Sequence, residues 1–259
     1  MIIGIFALFY KNGTNKSRGK NIIIEGFMES GEVTNSCLFC INKSSCFKQL
    51  DDSQLEFSNN HRVQLDFKQG ETILKQGSFA NHIYFIKKGL VKVYMEIPHS
   101  DKNLVINLLP TGNLIGLPSL YGNKVHTYTA TAIENTTVCI IENNAIKELI
   151  ENNGKFAAEI IKTMNHCSSY TFNRFVSLTH KQLNGRLADA LIYLAEEIYK
   201  NNTFKLSLSR ADLGELTGMS TMSVVKVIKD FKDNKIINNK GGTIEIINMP
   251  HLKRISEVG

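Results

Sequence analysis

The stretch from Leu206 to Phe231 constrains the fold more than any other part of the chain. Its apolar residues recur at helical spacing on both sides of Gly218, and glycine supplies the permissive backbone that a tight turn between two helices requires. Ser209 and Ser220 stand where the two helices would begin, since a serine side chain can accept a hydrogen bond from an unpaired amide of the first turn. The pattern predicts a helix-turn-helix.

The residues of this segment divide into an inner and an outer set. The residues predicted to lock the two helices together are Leu213, Leu216, Met219, Val224, Val227, Ile228 and Phe231. The residues left to face outward and enter a DNA major groove are Thr221, Met222, Val225, Lys226 and Lys229, with Ser209 and Ser220 at the helix starts. Five lysines face two aspartates between Lys226 and Lys240, so positive charge is concentrated where DNA would dock.

Two short apolar segments follow, one starting at Lys235 and one at Thr243, about the turn Lys240-Gly-Gly. This is the pattern of a β-hairpin, and a hairpin after a helix-turn-helix forms a wing. The sequence therefore predicts a winged helix over residues 182–259. A buried helical hairpin with an appended β-hairpin is the alternative.

Residues 51–150 are organised differently. Short apolar runs recur from about residue 58 to 145 and are broken by glycines, among them Gly70, Gly89 and Gly112. Many short strands at regular spacing predict an antiparallel barrel or sandwich.

The segment 151–181 has no proline and is predicted to form one long helix. Residues along it recur at three-four spacing, which is typical of the seam between two packed helices. The residues predicted to pair two copies of the chain are Ile161, Met164, Ser168, Thr171, Phe175 and Leu178. A helix packed on its own domain would show the same periodicity, so both interpretations stay open.

Five cysteines are present, three of them within the loop 37–50. The count is odd, and the apolar opening of ten residues lacks the basic start and the cleavage site of an export signal. No stretch reaches the ~20 apolar residues that cross a membrane. These features favour a cytoplasmic protein without a membrane segment, whose thiols take part in metal or redox chemistry rather than disulfides.

Residues 1–36 are interpreted as an N-terminal extension, with Met28 as an alternative start. We find no catalytic triad, no paired carboxylates in a glycine-rich pocket and no phosphate-binding loop, so an enzyme is not expected.

Taken together, the order of these segments resembles the cyclic-AMP receptor/fumarate-nitrate regulator (Crp/Fnr) family of transcription factors. The resemblance covers about residues 37–255 and is carried by Gly112-Asn-Leu-Ile-Gly, Gly185-Arg-Leu-Ala and the helix pair Leu208 to Phe231. It implies an α+β fold with an N-terminal β jelly-roll like that of cyclic-nucleotide-binding domains, a long dimerisation helix and a C-terminal winged helix-turn-helix. It also implies a homodimer that binds double-stranded DNA and contacts RNA polymerase.

Nucleotide-sensing members of the family hold the cyclic phosphate with an arginine in an Arg-Ser/Thr-Ala stretch and with a nearby glutamate. Thr127-Tyr-Thr-Ala stands there in this chain, without an arginine, and Leu117, Pro118 and Ser119 follow Gly116 without a glutamate. A phosphate buried without a cationic partner would lose the hydration of its charge without a compensating interaction. We therefore do not expect this chain to bind a cyclic nucleotide in the way of the family.

The oxygen-sensing branch of the family instead holds a [4Fe-4S] cluster with three N-terminal cysteines and one in the roll. Cys37, Cys40 and Cys46 resemble the N-terminal set, and Cys139 resembles the fourth ligand. The resemblance thus implies a [4Fe-4S] cofactor that controls dimerisation, whereas Cys167 is expected to be an ordinary apolar residue. Two alternatives remain: a zinc site completed by His61 or His82, and a regulator that carries no cluster and senses another small ligand or none.

Two departures from the family pattern bear on the mechanism. Glu159 is the only acid between Phe156 and His180, and Thr171 stands where the family places a charge that opposes pairing of the apo-protein. Met222, Val225 and Lys226 occupy the recognition-helix positions at which the family commonly carries Glu-x-x-Ser-Arg. Methionine and valine cannot make those hydrogen bonds to bases. We therefore expect easier dimerisation of the apo-protein and a DNA site different from the usual one.

Overall fold

The computed structural model describes residues 36–100 and 103–259. The predicted N-terminal extension, with the alternative start at Met28, falls outside the described residues except for its last position, residue 36. The first helix is α1 (Asp52–Asn60). It begins with a capping box, because the Asp51 side chain accepts the Gln54 amide at 2.9 Å while the Gln54 side chain accepts the Asp51 amide.

Eight strands follow and form two antiparallel four-stranded sheets. In chain order they are β1 (Arg62–Phe67), β2 (Thr72–Leu74), β3 (His82–Lys88), β4 (Leu90–Met95), β5 (Leu104–Pro110), β6 (Leu114–Ile115), β7 (Thr129–Ala132) and β8 (Thr136–Glu142). The strand orders are β1-β8-β3-β6 and β2-β7-β4-β5. Between the sheets lie Ile86, Val91, Ala130 and Val138, none of which is exposed. This double-sheet roll confirms the predicted jelly-roll class.

Gly89 makes the turn between β3 and β4 possible. Its φ is +106°, and a Cβ there would collide with the side chain and the backbone of Thr136. A larger residue would both strain the backbone and collide with β8.

Helices α2 (Asn143–Asn152), α3 (Gly154–His180) and α4 (Leu183–Tyr193) follow the roll, and α4 continues into one π-helical turn. The remaining elements are β9 (Thr203–Lys205), α5 (Arg210–Thr217), α6 (Thr221–Asp233), β10 (Ile237–Lys240), β11 (Thr243–Ile246) and α7 (Met249–Val258). β10, β11 and β9 form a three-stranded sheet beside the helix pair α5–α6. The predicted α+β fold with a C-terminal winged helix is confirmed, and β9 and α7 are elements that the sequence pattern did not predict.

Helix α3 has a long apolar face that the described residues leave largely exposed. Ile161, Met164, Phe172 and Phe175 are exposed to between 40% and 70%. Ser168 is also exposed and lies on the same face. Of the other two predicted seam residues, Thr171 lies at the edge of this face and bonds the Cys167 carbonyl, and Leu178 lies against Gly218. Phe172 and Val176 belong to the face although they were not among the predicted seam residues.

The roll and the winged helix are joined by a shared apolar core and by partly buried charges. Leu90 and Leu108 of the roll pack with Leu213 and Leu216 of α5. Lys92 on β4, whose side chain is 12% exposed, pairs with both Asp212 and Glu215 of α5. Burial opposes the charge of Lys92, but its hydrogen bonds and charge interactions with Asp212 and Glu215 together outweigh burial and raise its pKa.

Replacement of Lys92 by methionine would leave two partly buried carboxylates without their cation. We expect the free energy of unfolding of Lys92→Met to fall by about 1–3 kcal/mol. Urea unfolding at pH 7 measures this. Lys75→Met is the matched control, because Lys75 pairs with Glu96 at the surface of the same roll and should show little change. Equal losses in both variants would contradict the prediction.

A second prediction concerns how the stability of the folded chain depends on pH, and it rests on the buried side chain of His126. Its side chain is 1% exposed, and neither ring nitrogen has a hydrogen-bond partner among the described residues. Burial, together with the nearby His82, lowers the pKa of His126 in the folded chain. The unfolded state therefore binds the proton more tightly, and stability is lost as the pH falls through the ordinary histidine value of about 6.5.

We expect the thermal midpoint of the apo-protein to drop more steeply in wild type than in His126→Leu when the pH falls from about 7.5 to about 5.5. His251→Leu is the control because His251 is exposed. Parallel curves for wild type and His126→Leu would refute the assignment.

Candidate metal centre and nucleic-acid interface

Three of the four predicted metal-binding cysteines line one pocket. Cys37 and Cys40 come from the loop before α1, and Cys139 comes from β8, where its Cα partners are Gln64 on β1 and Phe85 on β3. Thiols from a loop and from the centre of a sheet therefore meet, although they are about a hundred residues apart in sequence.

Cys46 belongs to the same apolar cluster but faces a different neighbour. Cys46 and Cys139 are both buried in this cluster, and Cys37 and Cys40 pack against it. The Cys46 sulphur lies 3.6 Å from the Thr163 hydroxyl oxygen on α3. For Cys46 to join the other three thiols, its side chain must turn toward the pocket.

Side-chain hydrogen bonds join the loop to α1 and to the roll and also connect residues within the loop. Asn59 accepts the Cys37 amide at 3.1 Å, and Asn42 donates to the Lys87 carbonyl at 2.8 Å. Lys43 donates to the Leu38 carbonyl at 2.7 Å. These bonds fix the loop without using the thiols.

The charge around the pocket is positive. Lys43, Arg62 and Lys87 line it, and none of its lining residues is an aspartate or a glutamate. Burial raises the pKa of the Cys139 thiol, while the charges of Arg62 and Lys87 act against that rise. Cys167 lies on α3 outside the pocket, and burial raises the pKa of its thiol.

The possible metal ligands that line the pocket are thiols alone, which iron–sulphur clusters take as ligands. In the part of the chain that the structure describes, no three Cys, His, Asp or Glu side chains converge on one metal position. Neither His61 nor His82 lines the pocket, so the structure does not place either imidazole beside the thiols as the predicted zinc alternative requires. A [4Fe-4S] cluster takes one thiolate per iron and therefore accepts ligands that are spread apart. The positive lining also suits the negative charge of four thiolates.

At the glycine turn of the roll, the Gly116 amide already has a hydrogen-bond partner among the side chains of the roll. The Gly116 amide donates to the Tyr128 hydroxyl at 2.9 Å, and no arginine stands at Thr127 or Tyr128. Tyr128 thus uses a backbone donor at this turn that an anion would otherwise require.

The predicted DNA-reading residues lie on or next to two helices with well-defined ends. Ser209 caps α5 by accepting the Asp212 amide at 3.0 Å, and Ser220 caps α6 by accepting the Ser223 amide at 3.0 Å. Gly218, with a φ of +62°, ends α5 and turns the chain toward α6. The prediction of the helix-turn-helix from sequence rested in part on these same three residues, Ser209, Gly218 and Ser220.

The outer face of α6 is exposed along its length. Met222 is 81% exposed and Val225 is 50% exposed. Thr221, Lys226 and Lys229 are exposed beside them. The opposite face, which packs into the domain, consists of Val224, Val227, Ile228 and Phe231, all of them buried. The structure thus presents as one surface the residues that the sequence predicted to face DNA.

Sequence reasoning missed Asn59, Arg62 and Thr163, which surround the cysteines. No motif marks them, because each acquires its role only when the loop, α1, β1 and α3 are folded together. Arg62 donates to the sulphurs of Cys37 and Cys139. A single polar residue at a strand start carries no such information in sequence.

A jelly-roll joined through a long helix to a winged helix defines the class of protein: a transcription regulator with a sensor domain and a DNA-binding domain. Residues 64–153 match the cyclic nucleotide-binding domain family, and residues 185–255 match the Crp-like helix-turn-helix domain family. The chain belongs to the Crp/Fnr family of transcription regulators and is not an enzyme.

Similar proteins include regulators with different signals in their names. The fumarate and nitrate reduction regulatory protein of Vibrio cholerae is 24% identical, with 89% of this chain and 94% of that protein covered. The CRP-like cAMP-activated global transcriptional regulator of Mycobacterium tuberculosis is 22% identical, with 82% and 96% covered. The structure of FixK2 from Bradyrhizobium japonicum shares the fold with a TM-score of 0.71 at 18% identity, over 76% of this chain and 98% of that one. Among the helices of the described residues, none has the length and hydropathy to cross a membrane.

Proposed function

We propose that this chain is a cytoplasmic, homodimeric transcription regulator whose DNA binding is controlled by a [4Fe-4S] cluster held by Cys37, Cys40, Cys46 and Cys139. One observation carries the proposal: two thiols of the loop and one of β8 share a pocket lined by three cations, with the fourth cysteine in the same apolar cluster. The relatives named for fumarate and nitrate reduction support it. When bound, the cluster supplies sensitivity to oxygen or nitric oxide, since either can oxidise or dismantle it.

The residues of the chain provide a path from this site to the helix that we propose dimerises. Next to Cys46, the Phe47 ring contacts the Phe156 ring of α3 edge-on at 5.6 Å, and Cys46 itself contacts Thr163. Ile161 lies between Phe156 and Thr163 in the helix and is the first residue of the exposed apolar face. A loop held in place by its thiols would therefore steady the part of α3 where the pairing surface begins.

In the dimer, we propose that Ile161, Met164, Ser168, Phe172 and Phe175 meet their counterparts across a two-fold axis. The two α6 helices would then read half-sites one helical turn apart. From the family we also propose that the DNA-bound dimer contacts RNA polymerase.

Anaerobic reconstitution with ferrous iron and sulphide tests the cluster. We expect a broad visible absorbance and about four irons per chain, followed by bleaching in air and by weaker DNA binding. A colourless, iron-free protein after reconstitution would overturn the proposal.

The recognition helix predicts an unusual DNA site, and selection from random duplexes tests it. We propose that Met222 and Val225 pack on thymine methyl groups and that Lys226 and Lys229 contact guanine or phosphate, which favours A·T-rich half-sites. Lys226→Ala should weaken DNA binding. If Lys226 contacts a phosphate, the slope of the logarithm of the binding constant against the logarithm of the salt concentration should fall by about one, because one counterion fewer is released. Lys68→Ala, on the roll, is the control. Recovery of the site typical of Glu-x-x-Ser-Arg helices would contradict the prediction.

A second candidate function rests on another cavity. A space of about 370 Å³ lies between the roll and α3 and is lined mainly by apolar residues, including Leu114, Tyr128, Met164 and Phe172. It favours a regulator of the same fold that senses a small apolar ligand without a cluster. Iron-free protein that binds its DNA site equally well with and without air, and gives no heat with cyclic AMP, would support this candidate.

A further inference from the structure

We propose that Arg62 is a positioning residue that fastens the cysteine loop to the roll through two of the cluster's thiolates. The inference rests on the proposed function, because it assigns a role to Arg62 at the same site. It differs in content, since Arg62 is not a ligand and the cluster can form without it.

The guanidinium of Arg62 bonds three groups on separate elements. Nε lies 3.1 Å from the Cys37 sulphur, and Nη1 lies 3.7 Å from the Cys139 sulphur. Nη2 donates to the Asn59 side-chain oxygen at 2.9 Å. One side chain thus spans the loop, the central strand β8 and helix α1.

Asn59 fixes the guanidinium and the loop with a single atom. The same Oδ1 that accepts from Arg62 accepts the backbone amide of Cys37 at 3.1 Å. Cys37 is therefore held at its amide by Asn59 and at its sulphur by Arg62. This closed set of hydrogen bonds allows the arginine little freedom to leave the sulphurs.

The other cations of the pocket have partners of a different kind. Lys43 donates to the Leu38 carbonyl and Lys87 to the Gln64 side chain, each at 2.7 Å. Their charge contributes to the field of the pocket, whereas Arg62 donates directly to sulphur.

The chemistry of the guanidinium suits this role. Arginine remains protonated at every physiological pH, and its planar fork donates along several directions from one rigid group. Hydrogen bonds to the sulphurs and nearby positive charge raise the reduction potential of an iron–sulphur cluster. Arg62 should therefore both slow the loss of iron and raise the potential. If Arg62 had a merely structural role, its substitution would leave the reduction potential unchanged, and Arg62→Lys would not differ in potential from Arg62→Gln.

The experiment compares reconstituted full-length variants without air. We expect Arg62→Gln to lose iron to a chelator about tenfold faster than wild type, the effect of one charge-assisted hydrogen bond, and to have a more negative reduction potential. Arg62→Lys keeps the charge but not the fork, so its potential should lie closer to that of wild type while its iron loss stays fast. Asn59→Ala should also lose iron faster, because both Arg62 and the Cys37 amide are released.

Lys88→Gln is the matched control, because Lys88 is an exposed cation at the end of β3 outside the pocket lining. Circular dichroism of each apo-variant checks folding, and if Arg62→Gln does not fold, Arg62→Lys and Asn59→Ala decide the question. Wild-type protein that takes up iron, with variants matching it in iron loss and potential, would overturn this inference alone. Wild-type protein that takes up no iron would overturn the proposed function, and this inference with it.

Discussion

Phe175→Asp is expected to be a monomer that no longer binds its DNA site at concentrations at which wild type is saturated. Phe175 is 66% exposed and lies toward the C-terminal end of the apolar face of α3. In a two-fold dimer each substitution appears twice, so two carboxylates would face each other where two rings now meet. Loss of the second half-site should reduce affinity by about 10²- to 10⁴-fold.

Sedimentation equilibrium and a gel-shift titration on the same preparation measure both consequences. His166→Asp is the matched control, because it adds the same acid to another exposed side of α3. Phe175→Asp that remains dimeric would show that this face does not pair two copies. The result would also favour the interpretation of α3 as a helix that packs only on its own domain.

The second large effect concerns the candidate cluster. Cys139→Ala should reduce the iron bound after anaerobic reconstitution from about four per chain to nearly none. Cys139 is the one proposed ligand that lies on a sheet, where it pairs with strands on both sides, whereas the other three lie in the loop. Cys37→Ala, Cys40→Ala and Cys46→Ala should each do the same.

Cys167→Ala separates ligation from a general effect of losing a thiol. Cys167 lies on α3 outside the pocket, so its variant should bind iron as wild type does. Full iron binding by Cys46→Ala would show that the three thiols of the pocket suffice and that Cys46 only packs against Thr163. A stoichiometric, colourless zinc complex would instead contradict the assignment of the metal.

The helix-turn-helix was predictable from sequence because its signals are local. Ser209 and Ser220 cap helices that begin at the next residue, and Gly218 takes the positive φ that ends α5. The apolar spacing of α6 sets which residues are buried, so the exposure of Met222 and Val225 followed directly. The double-sheet roll was predictable as a class from its short runs and glycines. Its strand order was not, because pairing depends on partners far along the chain.

The sequence by itself determined the family, the two-part architecture and the identity of the four candidate cysteines. Only the tertiary structure decided how those cysteines are arranged. It brings Cys139 beside Cys37 and Cys40, turns Cys46 toward α3, and places Arg62 between a loop and a strand. It also decided that Lys92 on the roll holds the acids of α5. The physical reason is that spacing and capping act within a few residues, whereas these contacts join segments that chain folding alone brings within bonding distance.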